Sequence, residues 1–361
     1  MSIFHKARDW YAKNEGPISS LSLIGGFVFD ALTLRQVTGF WENIFVLGHV
    51  VLVGGLMIWI QAIEAEPGAE ANPERWHFWL VNILQFVFGG LLSIFLVFYF
   101  RSGDISQSWP FILVLALAFL ANERWKRQFV RLPFQVLLFY LSLFSVSIYI
   151  LPVVVHQIGD WIFIFSGFLS LIVIWIFLHI ISRVNRPKWH DNKGKLILAV
   201  AGIYTLINIF YFTNLIPPLP LDLKNSGIYH SISKNADGTY SALAEKKTFW
   251  QTLTFNEDFH ASSGTKVYAE TSVFSPTDLN TTIVHRWQYY DQSQKKWLDD
   301  EVIDLPISGG RDSGFRTYSA DSIRPGNWRV SVETLTGQVL GHIDFNVISG
   351  EAPVLEEKIL D

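Results

Sequence analysis

The sequence contains no cysteine and few charged residues for its length. Only 17% of its 361 residues are Asp, Glu, Lys or Arg, whereas soluble domains average about 25%. The absence of cysteine excludes thiol catalysis, disulfide bonds and cysteine-ligated zinc or iron–sulfur sites. The net charge of −4 gives no basic surface of the kind that binds nucleic acid. We therefore expect neither a nucleic-acid partner nor, in the absence of a cofactor motif, a cofactor.

Two short motifs that would indicate nucleotide or metal chemistry are incomplete. The glycine-rich stretch Ser308–Gly314 lacks the Lys-Ser/Thr pair and the following helix of a phosphate-binding loop, so we interpret it as a connection between strands. No His-Glu-x-x-His sequence or similar histidine pair is present, and we expect no metal site.

What the chain has instead is a series of long apolar runs. Crossing a bilayer as a helix takes about 20 apolar residues, because lipid cannot satisfy backbone polar groups. Seven segments fit: Ile18–Leu34, Phe40–Ile63, His77–Phe100, Trp109–Asn122, Leu132–Leu151, Trp161–Ile181 and Leu196–Ile216. The fourth is short, and it becomes long enough only if it begins near Ile105. We expect an α-helical polytopic membrane domain of about seven spans.

Basic residues in the short connections predict the orientation of these spans. With seven spans and a cytoplasmic N-terminus, 13 Lys and Arg residues lie inside and only Arg35 and Arg101 lie outside, as the positive-inside rule requires. A six-span alternative moves the N-terminus but also leaves the C-terminal part outside. The first span has no clear cleavage site after it, so we expect it to remain as an anchor. These patterns predict a multi-pass membrane protein whose N-terminus is cytoplasmic and whose C-terminal part lies outside the cytoplasm.

The composition changes at the proline-rich segment Leu215–Pro220. Residues 1–221 carry a net charge of +3 and residues 222–361 a net charge of −7. We expect a membrane domain at 1–216, a stiff linker at 217–223, a juxtamembrane segment at 224–262, a β-sandwich at 263–350 and a tail at 351–361. In the juxtamembrane segment, a hairpin around Asn235–Gly238 and a strand over Thr248–Phe255 are candidates.

A period-two alternation of apolar and polar residues predicts about six short strands after Lys266. Trp287 and Trp328 fall on apolar strand faces, where an indole packs most simply in a core, and Gly and Pro separate the strands. Such a series without intervening helices indicates an all-β, immunoglobulin-like antiparallel sandwich. The predicted strands lie at 267–274, 283–290, 297–305, 315–319, 328–332 and 343–347.

Several of these strand motifs resemble a bacterial C-terminal domain family of unknown function. The resemblance covers about residues 265–348 and implies a small β-sandwich in the bacterial envelope, preceded by an uncharacterised polytopic membrane region. It implies no activity and no catalytic residue. The matching motifs are Val284–Trp287, Phe315–Ser319, Pro325–Val332, Gly337–Leu340 and Phe345–Val347.

Two groups of residues are candidate sites. Arg311, Arg316, Arg324 and Arg329 form a set of guanidinium groups that could bind carboxylate or phosphate, although stacking and ion pairing within the domain explain them more simply.

The second group consists of ionisable residues in or near the outer part of the spans: Asp30, Glu42, His49 and His156. Such residues are costly in lipid and are often functional, yet hydrogen bonds between helices are an ordinary role for them.

Two functions remain open at this stage. The first is a membrane anchor that presents its sandwich outside the cytoplasm to a protein or envelope component. The second is a membrane enzyme or transporter that uses the polar residues of the spans. The sequence gives more support to the first, because no catalytic motif accompanies those polar residues.

A reporter fused after Asp361 tests the orientation. We expect activity from alkaline phosphatase, which folds only outside the cytoplasm, and none from a cytoplasmic reporter at the same position. Activity of the cytoplasmic reporter alone would overturn the charge argument.

Overall fold

The chain consists of a helical part followed by a part made of β-sheets. The computed structural model describes residues 25–32, 40–66, 75–124, 131–236, 239–246, 257–311, 313–350 and 354–360. The chain forms two compact units. The first contains residues 1–101, 109–154 and 160–215, and the second contains residues 102–108, 155–159 and 216–361. The second unit is therefore built from three separate stretches of chain.

Within the described part of the chain, the first unit contains a short helix, α1, at residues 25–32, and six longer ones. These are α2 (Phe40–Glu64), α3 (Arg75–Arg101), α4 (Ile105–Arg124), α5 (Leu132–Val155), α6 (Asp160–Val184) and α7 (Arg186–Phe212). All six long helices are long and apolar enough to cross a membrane. The remainder of the predicted first span, Ile18–Leu34, lies outside the described residues.

The fourth predicted span, which is long enough only if it begins near Ile105, has that length in the structure. Helix α4 begins at Ile105, and 18 of its residues, Ile105–Asn122, have a mean hydropathy of 1.6. Helix α7 begins ten residues before the predicted Leu196, because its polar first turns are capped. The Asn185 side chain accepts a hydrogen bond from the Lys188 backbone N–H at 3.2 Å, and Pro187 occupies the first turn.

Polar side chains join the helices where lipid could not satisfy them. The Gln85 amide donates to the Asn122 carbonyl at 2.8 Å, and the Asn122 amide donates back to the Gln85 carbonyl at 3.0 Å, which ties α3 to α4. Tyr99 donates to the Ser145 carbonyl at 3.2 Å and so ties α3 to α5. Of the six long helices, α5 is the most buried, since 72% of its most apolar stretch is inside the structure.

In the described residues, the second unit contains eleven strands in three sheets. A five-stranded sheet has the order β4-β10-β9-β6-β7, a three-stranded sheet the order β1-β5-β8, and a small sheet the order β11-β3-β2. The strands are β1 (Asp222–Tyr229), β2 (Ser231–Lys234), β3 (Tyr240–Glu245), β4 (Glu257–His260), β5 (Lys266–Phe274), β6 (Thr281–Asp291), β7 (Lys296–Ile307), β8 (Phe315–Ser322), β9 (Gly326–Thr334), β10 (Val339–Ile348) and β11 (Leu355–Leu360).

The six strands predicted from alternation correspond to β5 through β10. Strands also lie on both sides of the predicted 263–350 segment, because β1 begins at Asp222 and β11 occupies residues 355–360. The hairpin suggested around Asn235 is present as the antiparallel pair β2–β3. The strand suggested at Thr248–Phe255 lies outside the described residues.

The five-stranded and β1-β5-β8 sheets pack face to face around two indoles. Trp287 is 0% and Trp328 1% exposed, and their cluster includes Val267 and Ala269 from the opposite sheet. Each indole N–H is satisfied: Trp287 donates to Ser319 Oγ at 3.0 Å and Trp328 to the Arg324 carbonyl at 2.7 Å. A second apolar cluster, around Leu221, Val332 and Leu340, includes Ile158 at its margin.

The proline-rich segment is part of the second unit. Residues 216–222 are buried, and the Ser102 hydroxyl donates to the Leu221 carbonyl. Gly103 approaches Pro217 so closely that a β-carbon would lie 2.7 Å from the proline ring. This stretch is therefore packed against its own unit, which fixes its course more firmly than the stiffness of proline alone.

A histidine lies inside this core. His285 Nε2 and Nδ1 lie 2.8 Å from Thr271 Oγ1 and Ser319 Oγ, respectively, and burial lowers the pKa of His285 to about 4. The folded state thus holds the imidazole neutral.

We expect this histidine to make the sandwich less stable in mild acid. Between about pH 6.5 and pH 4 the unfolded chain binds a proton at His285 that the folded chain does not, so stability falls as the pH falls. Between pH 7.5 and pH 5, the free energy of unfolding of the wild type should fall by about 2 kcal/mol more than that of a His285→Gln variant. Pulse proteolysis in urea, on the full chain in detergent, measures the difference. Equal losses in both proteins would contradict the assignment.

Candidate functional site

The outer surface of the five-stranded sheet is unusually rich in polar and aromatic side chains. Because Trp328, Val330 and Val332 point into the core, the alternate residues of β9 point outward, and the same holds along β6 and β10. We call this surface the polar face. It comprises Arg286, Gln288, Tyr290, Trp297, Asp299, Asn327, Arg329, Ser331, Glu333, His342 and Asp344.

Ion pairs connect neighbouring strands across the polar face. Arg329 on β9 donates from Nε and Nη2 to the two carboxylate oxygens of Asp344 on β10, at 2.6 and 2.9 Å. Arg286 on β6 binds Glu333 through Nε at 3.1 Å and Asp299 through Nη1 at 2.9 Å. Desolvation raises the pKa of Glu333, and the Arg286 guanidinium opposes that rise. Each pair holds its side chains in one orientation.

An aromatic groove lies at one end of the polar face. Tyr290 and Trp297 face each other across the β6–β7 pairing, with ring centroids 5.2 Å apart at 64°. The Arg329 guanidinium lies 4.6 Å from the Trp297 ring centroid. The groove has a volume of about 270 Å³ and is lined by Tyr290, Trp297, Asn327, Trp328 and Asp344. A cavity with convergent polar groups and aromatic walls is typical of a ligand site.

The other end of the polar face brings together a serine, a histidine and an aspartate. His342 Nδ1 lies 3.0 Å from Ser331 Oγ, and His342 Nε2 lies 3.3 Å from Asp104 Oδ2. Burial lowers the pKa of His342, against the pull of Asp104. Ser331 is only 2% exposed in the middle of a strand, so a substrate carbonyl has no access to its hydroxyl. We interpret the arrangement as a structural link.

The four arginines predicted as a ligand site are each engaged by a different partner. Arg324 lies 4.1 Å from the Tyr289 ring centroid and Arg311 lies 5.3 Å from that of Phe315. Arg316 donates to Glu270 at 2.7 Å, and Arg329 binds Asp344. Of the four, only Arg329 belongs to the polar face. Binding of a ligand by the set remains a prediction.

The polar residues predicted in the spans are distributed over several places. Asp30 interacts electrostatically with His49, whose Nδ1 lies 2.9 Å from the Phe45 carbonyl. Glu42 interacts with Tyr149. His156 is exposed and belongs to the second unit. Within the described ranges, no group of three or more His, Asp or Glu side chains is placed to hold a metal ion.

Sequence reasoning did not single out the aromatic groove. Its members come from β6, β7, β9 and β10, and only the register of the sheet brings them together. One signal was available: Tyr290 and Trp297 flank a turn, and the alternation places Tyr290 on the polar side of β6. An aromatic ring on a polar strand face is a reason to look for a ligand.

The ion pair between Arg316 and Glu270 offers a test of the structural role of an arginine. Glu270 is 1% exposed, and its Oε2 has no hydrogen-bond partner in the part of the chain that the structure describes. Burial raises the pKa of Glu270, while Arg316 opposes that rise. Removing the guanidinium would leave a buried, unpaired acid.

We expect Arg316→Ala to destabilise the sandwich by about 3–5 kcal/mol. The control Arg311→Ala, at an exposed arginine, should cost less than about 1 kcal/mol. Pulse proteolysis of the full chain in detergent measures both, and the double variant Glu270→Gln/Arg316→Met should recover part of the loss. Equal costs for the two single variants would refute the structural role.

Comparison with known proteins identifies one family in the β-sheet part. Residues 280–347 match a family described as protein of unknown function (DUF2914). The match runs from β6 to β10 and therefore includes all the residues that line the aromatic groove. No curated protein matches the chain.

Solved structures show only slight similarity. A β-glucosidase from Listeria innocua in complex with isofagomine is 13% identical over 31% of this chain, with a TM-score of 0.20. This chain spans only 16% of that enzyme. The alkylpurine DNA glycosylase AlkC of Pseudomonas fluorescens, bound to DNA containing an abasic site analogue, is 11% identical over 74% of this chain and 79% of its own, with a TM-score of 0.22. Scores of this size have no bearing on fold or function.

Proposed function

We propose that this chain is an integral inner-membrane protein that presents an immunoglobulin-like sandwich outside the cytoplasm, where the polar face binds a component of the cell envelope. The observation that carries the proposal is the aromatic groove beside the Arg329–Asp344 pair. It is a shaped, polar site on a domain that is attached to a set of membrane-length helices.

The unit composition supports the sidedness. Residues 102–108 and 155–159, which follow α3 and α5, belong to the same unit as the sandwich. A chain that crosses a membrane repeatedly returns to the same side after every second helix, so these two stretches and the segment after α7 share one side. The basic connections, with Arg131 and with Arg183–Lys195, alternate with them. The positive-inside rule assigns those basic connections to the cytoplasm.

The absence of cysteine permits a clean test of the topology. We expect Ser293→Cys, in the turn between β6 and β7, to react with a membrane-impermeant maleimide in intact spheroplasts. The control Lys193→Cys, near the start of α7, should react only after permeabilisation. Both positions are solvent-exposed, so protection reflects the membrane. Labelling in the reverse order would overturn the proposal.

Crosslinking in cells tests the binding role directly. A photo-reactive amino acid at Asp299, which lies two residues from Trp297 on the same face of β7 and is 51% exposed, should form adducts with an envelope component on irradiation. The same photo-reactive amino acid at Ile359, which is 66% exposed on the small sheet, serves as the control and should form few. Equal adduct formation at the two positions, or none at Asp299, would contradict a specific role for the polar face.

The alternative of a membrane enzyme or transporter predicts that substitutions of the polar residues in the spans impair function. If the polar face carries the function, proteins with the photo-reactive amino acid at Asp299 should give the same adducts with and without the Asp30→Asn or His49→Gln substitution. Loss of the adducts in these variants, with the protein still present in the membrane, would favour the alternative.

A further inference from the structure

We propose that the aromatic groove binds a sugar ring of an uncharged, hydroxyl-rich envelope glycan. This inference rests on the proposed function, because it names the ligand class of the same polar face. The groove residues are Tyr290, Trp297, Asn327, Trp328 and Asp344.

The size of the groove suits one ring of a polymer. Its volume of about 270 Å³ lies just below the roughly 300–1,000 Å³ found for sites that hold drug-sized molecules. A single pyranose ring, presented by a longer chain, fits the available space.

The walls of the groove match the apolar side of a sugar. A pyranose presents a patch of C–H groups on one face, and those hydrogens carry a partial positive charge. Aromatic rings have a negative face, so they attract such hydrogens and also remove apolar surface from water. Trp297 and Tyr290 are half-buried, and their tilted arrangement keeps both rings fixed as platforms.

The charges in the groove disfavour ionic ligands. Both carboxylate oxygens of Asp344 already bind Arg329, at 2.6 and 2.9 Å, so the pair is neutral as a whole. The Arg329 guanidinium lies 4.6 Å from the Trp297 ring centroid, and its positive charge repels a ligand cation. A phosphate would have to compete with Asp344 for Arg329. A neutral ligand faces neither cost.

The remaining polar groups suit hydroxyls. Each oxygen of an ionised carboxylate has more than one lone-pair site, so Asp344 can accept from a hydroxyl while it stays paired with Arg329. The Asn327 amide supplies both a donor and an acceptor, and a hydroxyl can serve as either. Since the ion pair holds these groups in place before binding, little side-chain order remains to be lost.

Saturation-transfer NMR on the full chain in lipid nanodiscs tests the inference. The probes are maltotriose, cellotriose and the trimer of N-acetylglucosamine, with inorganic phosphate and tetramethylammonium as ionic alternatives. We expect saturation of the ring protons of at least one trisaccharide and none from tetramethylammonium. Trp297→Ala should weaken that binding by at least about tenfold, and Trp297→Phe, which keeps an aromatic wall, should weaken it less.

A matched control removes an aromatic ring elsewhere. Tyr318→Ala, at a side chain 42% exposed on the three-stranded sheet, should leave the sugar signal unchanged. No signal from any trisaccharide, a signal insensitive to Trp297→Ala, or competition by phosphate at equal concentration would each overturn the glycan assignment. These outcomes leave the proposed function intact if the adducts formed at position 299 persist in cells. Loss of those adducts is the result that removes the proposed function itself.

Discussion

The alternation of side chains along β6 and β9 is the constraint on which the β-rich unit depends. On β9 a single step along the backbone separates Trp328, buried in the core, from Arg329, paired with Asp344 on the outside. A shift of register by one residue would bury the ion pairs and expose the indoles. The core and the polar face are thus specified by the same pattern, and neither can change without the other.

Because one alternating pattern specifies both faces of the sheet, the sequence could predict a large part of the β-rich unit. Strands β5, β6, β9 and β10 have alternating patterns, and β7 and β8 are runs between turn residues, so all six were found. The core positions expected for Trp287 and Trp328 were also correct. Strands β1 and β4 have no comparable pattern, because their pairing is decided by distant partners. Strand β4 lies parallel to β10, and local propensity carries no information about such a neighbour.

The helical unit shows a different limit of sequence reasoning. Hydropathy detects which residues lipid would accept, whereas a helix continues as long as its backbone is satisfied. Helix α7 therefore runs back through Lys188 and Lys195 to its cap at Asn185, although the span predicted from hydropathy begins only at Leu196. Charged residues mark where the membrane ends and a capping side chain marks where the helix ends.

The candidate site was the least predictable part. Of the four arginines chosen from the sequence, three bind partners away from the polar face, and only Arg329 belongs to it. The feature that distinguishes Arg329 is its surroundings: a carboxylate on β10 and an indole on β7, neither of them near in sequence. Residue type suggested the chemistry, but only the sheet register could show which arginine shares a groove with aromatic rings.

The composition of the second unit from three stretches of chain has a consequence for how it forms. Asp104 contacts His342, and Ile158 borders the cluster that contains Val332, so two short connections between helices are structural members of the β-rich unit. During synthesis both emerge long before any strand. Their partners in the unit, residues 216–361, make up the last two-fifths of the protein and are synthesised after them. A fragment that begins at the proline-rich segment would therefore be an incomplete domain, and insertion of the helices is a step in the folding of the sandwich.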